Sequence, residues 1–172
     1  MLEAIKNRRS CRKFDANRIV EKEKLEEIIE AGLYASNAMG YQNGIIIAIT
    51  NKKTRDEISK LNCKIMGVKE ENDPFYGAPV ILLVAVKKWA NAKYDGSTMI
   101  ESMMIEATNQ GLGTWWIHRA KEELEFDEGK KILSSIDLDL SEYEGVGHIA
   151  LGYSLMNYSP KKIKENRVYF IK

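Results

Sequence analysis

The sequence predicts a mixed α+β fold built as a single domain over residues 1–172. Three observations carry this. Two short apolar runs, GIIIAIT (44–50) and APVILLVAV (78–86), are bounded by turn residues, the pattern of strands buried on both faces. Two longer stretches carry apolar residues at helical spacing: Leu25, Ile28, Ile29, Gly32 and Leu33, then Ile100, Met103, Met104 and Ala107. Helical and strand-like stretches are interspersed, with no repeat, low-complexity tract or linker.

The elements follow in order. Residues 2–9 read as a short helix leading into the basic stretch RRSCRKF (8–14). The next helix holds Leu25 to Leu33, and Gly32 weakens its end. ASNAMGYQNG (35–44) has turn residues and no clean period, so it reads as an ordered loop. After the first strand, TRDEISKLN (54–62) reads as a helix, and residues 67–77, charged and irregular, as a mobile segment or lid. A central helix then runs from a capping Asp95 toward Gly111. TWWI (114–117) is a short β-prone stretch. AKEELEFDEGKKILSSI (120–136) is helical with an interruption at Gly129, and VGHIALGY (146–153) and RVYFI (167–171) complete about five strands.

Composition excludes several classes. The 26 Lys+Arg and 25 Asp+Glu leave a net charge of +1, which argues against a nucleic-acid binder. The longest apolar run is too short to span a bilayer, and no targeting signal is visible, so a cytoplasmic protein without membrane partners is expected. Cys11 and Cys63 form no CxxC, which fits a reducing compartment. His118 and His148 lie far apart without a nearby Cys or His, so no metal site is expected.

Two stretches are cationic. Arg8, Ser10 and Arg12 are spaced by two, so an extended backbone would turn all three to one side as a phosphate cradle. A solvated basic arm is the plainer reading. PKKIKENR (160–167), with Lys162 and Lys164 again two apart, could hold the same phosphate from the other end of the chain or be a solvated tail. The glycines of GLG (111–113) follow a helix and precede a strand, the reverse of a dinucleotide fingerprint. Trp115 and Trp116 are consecutive and must face opposite sides. One can be core; the other needs a second apolar surface, such as a partner chain or a flat ligand ring. His148 reads as a satisfied core or edge histidine.

Taken together, RRSCRKF, EKLEEIIEAGLYAS, FYGAPVILLVAV, DGSTMIESMMIEATNQGLGTWWI, GHIALGY and PKKIK resemble, in order, the motifs of the nitroreductase family of flavin enzymes. The resemblance covers nearly the whole chain. It implies a three-layer α/β/α fold with a central, mostly antiparallel five-stranded sheet, and a homodimer in which the C-terminal strand is exchanged. It implies FMN as cofactor, NADH or NADPH as co-substrate, and ping-pong hydride transfer through flavin N5 to a small-molecule acceptor, a nitroaromatic, a quinone or similar. The flavin carries the redox chemistry, so no catalytic side chain is expected.

The resemblance also assigns positions. Arg8, Arg9, Ser10 and Arg12 match the phosphate and ribityl contacts, joined by Lys162 and Lys164. Trp116, Ile117, His118 and Arg119 match the segment along the reactive edge of the ring. Ala38, Met39 and Gln42 lie in the loop contributed by the second subunit, and Asn62 matches an asparagine that contacts the ring. The loop lacks the family's prolines and Trp, and His118 and Arg119 stand where relatives often carry Gly or Glu-Gly. The alternatives are a flavin enzyme acting on quinones, free flavin or an unsaturated ring, a non-catalytic flavin- or nucleotide-binding module, and a scaffold without flavin.

Overall fold

The structure, a computed structural model, describes residues 1–159 and 161–172. Its strands are β1 (Gly44–Ile49), β2 (Val80–Lys87), β3 (Gly113–Ile117) and β4 (Tyr143–Gly152). They form one sheet in the order β1–β2–β4–β3, and every neighbouring pair is antiparallel. The helices are α1 (Glu3–Asn7), α2 (Lys22–Leu33), α3 (Lys52–Met66), α4 (Ala92–Asn109), α5 (Ala120–Glu125) and α6 (Asp127–Ile132).

Strand β2 divides the core in two, because alternate residues of a strand face opposite sides. Ile81, Leu83 and Ala85 pack with Ile58 of α3, Leu124 of α5 and Phe75. Val80, Leu82 and Val84 pack with Ile28 of α2 and with Ile100, Met103 and Met104 of α4. Helices therefore cover both faces, giving the expected three-layer α/β/α arrangement. Gly32 lets α2 close on α4: a Cβ there would meet Met103 Cγ at 2.8 Å.

Several expectations need correction. The sheet has four strands, and residues 167–171 form no strand among the described residues. A strand needs a ladder partner, and this segment has left the body of the domain with Val168, Tyr169, Phe170 and Ile171 all exposed. Strand β1 is not buried on both faces. It lies at the sheet edge, and of its isoleucines only Ile49 is fully buried. The helix after Arg119 breaks at Phe126, whose extended backbone separates α5 from α6. Gly129 lies inside α6, where a Cβ would fall 1.9 Å from the Glu123 carbonyl oxygen.

Asp95 is not the cap of α4. It lies in the first turn, buried, and its Oδ1 accepts the Ala38 N–H at 2.8 Å. The segment 67–77 is tied down in its second half. Phe75 is wholly buried and meets the His148 ring edge-on at 5.4 Å. Asp73 accepts hydrogen bonds from Arg55, from Ser59 Oγ at 2.9 Å and from the N–H of Phe75 at 3.0 Å. Burial alone would raise the Asp73 carboxyl; the Arg55 guanidinium and the N–H donors outweigh it and hold the pKa below its ordinary value.

Trp115 and Trp116 do face opposite sides, and both are half-buried. Trp115 packs on the α3 side and Trp116 on the α4 side, since each face of β3 has its own core. Gly111, at φ 76°, ends the central helix as expected.

Candidate functional site

The basic stretch runs along the free edge of β3. Ser10 bridges Thr114, and the Cys11 N–H donates to the Thr114 carbonyl at 2.8 Å. The C-terminal side of β4 laces to the same stretch: the Leu155 N–H donates to the Lys13 carbonyl at 3.0 Å, and the Asp15 N–H to the Tyr153 carbonyl at 2.9 Å. The alternation expected of an extended segment is present. Cys11 is fully buried, and Ser10 and Arg12 on either side are exposed.

The cations of this stretch divide. Arg12 stacks over the Trp115 ring, 4.2 Å from its centroid, and has no acidic partner among the described residues. Arg8 turns toward α4, with Nε 3.4 Å from Glu101 Oε1. Arg9 donates to the Ser159 carbonyl, so the C-terminal tail departs beside the cluster. Pro160, the first residue of the second basic stretch, lies outside the described residues. Lys162 and Lys164 are exposed and form no ion pair among the described residues. Arg8, Ser10 and Arg12 thus share one segment, but Arg8 and Arg12 are directed to different partners, and the lysines of the tail are not brought against them.

The end of β3 borders a cavity of about 440 Å³ lined by Trp116, His118, Arg119, Lys93, Lys121 and Val146, among others. Its size lies within the roughly 300–1,000 Å³ range of ligand pockets. The Trp116 and His118 rings lie 6.3 Å apart at 32°. Ile117 is buried and offers only its backbone. Arg119 has φ 81°, the left-handed region that favours glycine, and its Nε donates to Asn62 Oδ1 at 2.8 Å.

Asn62 therefore does not face an open site. It is fully buried, and its Nδ2 donates to Glu123 Oε1 at 2.5 Å. Glu123 Oε2 lies 2.8 Å from His148 Nε2, and both residues are wholly buried. His148 is thus a core histidine, as expected. Glu123 went unnoticed in the sequence, although an acid between Ala120 and Leu124 on an apolar helix face is a readable signal.

The loop expected from a second subunit is ordered, as the sequence predicts. Met39, Gly40 and Gln42 all have positive φ, and the Gln42 N–H donates to Asn37 Oδ1 at 2.9 Å. The Ala38 N–H is committed to Asp95, whereas Met39 and Gln42 project into solvent.

These residues fit FMN, the group that the fold implies. An outward hydroxyl and an unpaired guanidinium at Ser10 and Arg12 suit a phosphate, and the cavity at the end of β3 has an aromatic wall for a flat ring. Among the described residues no cluster of His, Cys, Asp or Glu could hold a metal ion, and no helix is long and apolar enough to cross a membrane.

Comparison with known proteins identifies the family. The family model described as "Nitroreductase family" matches residues 5–153. No curated protein matches the chain. Among solved structures, a nitroreductase with bound FMN from Bacteroides fragilis is 26% identical, with a TM-score of 0.87, over 99% of this chain and 97% of that one. A nitroreductase with bound FMN from Desulfitobacterium hafniense, at 21% identity and TM-score 0.83, covers 99% and 97%. An FMN-dependent nitroreductase from Clostridium difficile, at 20% and 0.79, covers 98% and 97%.

Proposed function

The chain belongs to the nitroreductase family, and from that premise we propose that it is an FMN-dependent oxidoreductase taking electrons from NADH or NADPH. The observation that carries this is the outward row of Ser10 and Arg12 on the segment laced to β3, in a chain 26% identical to an FMN-bound structure over nearly its whole length.

Bound FMN would supply the redox chemistry, accepting a hydride at N5 from the nicotinamide and passing two electrons to a nitroaromatic, quinone or similar acceptor in ping-pong turnover. The chain's own residues bind and orient. Arg12 and Ser10 hold the phosphate with Arg8 and Arg9 on the same segment, and Lys162 and Lys164 would join them only where the tail is exchanged in a dimer. Trp116, His118 and the backbone of Ile117 and Arg119 lie along the ring and exclude water. Arg119 places positive charge, and His118 a polar ring, where the ring gains electrons.

Ala38, Met39 and Gln42 come from a second copy of the chain. The uncovered tail supports a homodimer: Tyr169 and Phe170 are 83% and 82% exposed, a large apolar surface for a lone chain to leave in water. Exchanging the tail would cover it and supply the missing fifth strand. Sedimentation of an FMN-bound monomer would contradict this arrangement.

The test is the visible spectrum of the purified protein, with acid release and identification of the chromophore. Stoichiometric FMN is the expected result. A colourless protein that takes up no added FMN would sink the proposal. A second reading, a flavin-binding module without turnover, draws on the atypical loop at YQNG (41–44), where Gln42 adopts a positive φ. It predicts bound FMN with no NADH- or NADPH-dependent reduction of any acceptor.

A further inference from the structure

Four polar side chains run in file from the cavity into the core. Arg119 Nε donates to Asn62 Oδ1 at 2.8 Å, Asn62 Nδ2 donates to Glu123 Oε1 at 2.5 Å, and Glu123 Oε2 meets His148 Nε2 at 2.8 Å. Asn62, Glu123 and His148 have no exposed surface at all. His148 Nδ1 has no partner among the described residues, so the file costs least when Nε2 bears the ring proton and donates it to Glu123. Every hydrogen bond then points toward the Glu123 carboxylate. The amide of Asn62 has one allowed orientation, and it joins Arg119 to the Glu123 carboxyl.

Fold stability does not by itself require this arrangement. Buried ionic groups can often be replaced by apolar side chains without loss, and the surrounding core is apolar. Arg119 also adopts a left-handed backbone that a glycine would take without strain. Its Nη1 and Nη2 have no partner among the described residues, and the residue borders the cavity beside Trp116 and His118.

We propose that Asn62, Glu123 and His148 are positioning residues that lock Arg119 as a fixed cation at the edge of that cavity. The inference rests on the FMN reading proposed above. The locked cation favours the more negative, reduced form of the bound group over the oxidised one, and its effect depends on being held. Asn62 is the link: without it the guanidinium is free to swing into solvent, and its charge is screened.

The experiment measures, on FMN-loaded protein, the two-electron midpoint potential and the dissociation constant of oxidised FMN. The proteins are wild type, R119A, N62L and R119A/N62L. R119A and N62L should each lower the potential. A tenfold loss of preference for the reduced form corresponds to about 30 mV for a two-electron couple. The double variant should fall no further than R119A alone. A wild-type potential in N62L, or an N62L effect undiminished in the R119A background, would overturn the inference. Should N62L fail to fold, E123Q, which keeps the shape of the side chain, takes its place. It must shift the potential in the wild type and leave it unmoved in R119A; a shift that persists there, or none at all, counts against positioning. A wild type that binds no FMN overturns the flavin reading itself, and so separates that failure from this one.

Discussion

Replacing Phe75 by alanine should cost about 3–5 kcal/mol, the range for emptying a buried aromatic site. The ring is fully buried between α3, β2 and His148. A buried aromatic side chain removes roughly 150–250 Å² from water, which at about 25 cal/mol per Å² gives a ceiling of about 4–6 kcal/mol. In a chain of this length each kcal/mol moves Tm by about 2–4 °C, so the loss should be roughly 6–20 °C. Phe75→Leu retains most of the apolar contact and loses the edge-on meeting with His148, about 0.5–1.5 kcal/mol. Guanidinium unfolding should show the midpoint falling from wild type through Phe75→Leu to Phe75→Ala with an unchanged slope. A cost below about 1 kcal/mol for alanine would refute the reasoning. It would mean that residues 73–77 are not packed in solution, and that the segment is free to act as the lid its charged sequence first brings to mind.

Three further outcomes are expected. Asp73→Asn should destabilise the protein near neutral pH: a carboxyl whose folded pKa is depressed adds stability above its unfolded value, about 3.9. That contribution is lost as pH falls through the folded pKa, so the difference between the two proteins should close in acid, as measured by denaturant midpoints across pH. Gly129→Ala should lose more than about 3 kcal/mol, because the new Cβ would lie 1.9 Å from a backbone oxygen that cannot rotate away; a soluble variant with wild-type Tm would show that α5 and α6 do not approach so closely. Asp95→Ala removes the acceptor of the Ala38 N–H and should open residues 36–42 to limited proteolysis while helix content stays the same, and equal resistance in both proteins would show that the loop holds itself.

The strands and helices of the body were legible because each has a clean period. The run of β2 reads as doubly buried and is buried from Val80 to Val86, and the face of Ile100, Met103, Met104 and Ala107 reads as core and is core. Strand β1 misled because three consecutive isoleucines look doubly buried when the strand is an edge covered unevenly by helices. Gly129 misled because a helix glycine signals a break or a close approach with the same letter. In the site, the outward alternation of Ser10 and Arg12 followed from spacing alone. Placing Arg8 on Glu101, or Asn62 on Glu123, needed partners far away in sequence. The expected strand at 167–171 has the right composition, but composition cannot say which chain supplies the neighbour.

The order β1–β2–β4–β3 also has a consequence for biosynthesis. One of the two inner strands of the sheet, β4, is the last one to be made. Until about residue 152 has left the ribosome, β2 has a partner on one edge only and β3 has no ladder at all. The growing chain must carry the apolar row from Val80 to Val86 with an open edge, the kind of surface on which nascent chains pair wrongly. The sheet then closes in one late event that joins distant parts of the chain, the kind of pairing that folds slowly. A nascent chain stalled before β4 would be a client for chaperones, and release of the segment from Tyr143 onward would be its signal to fold.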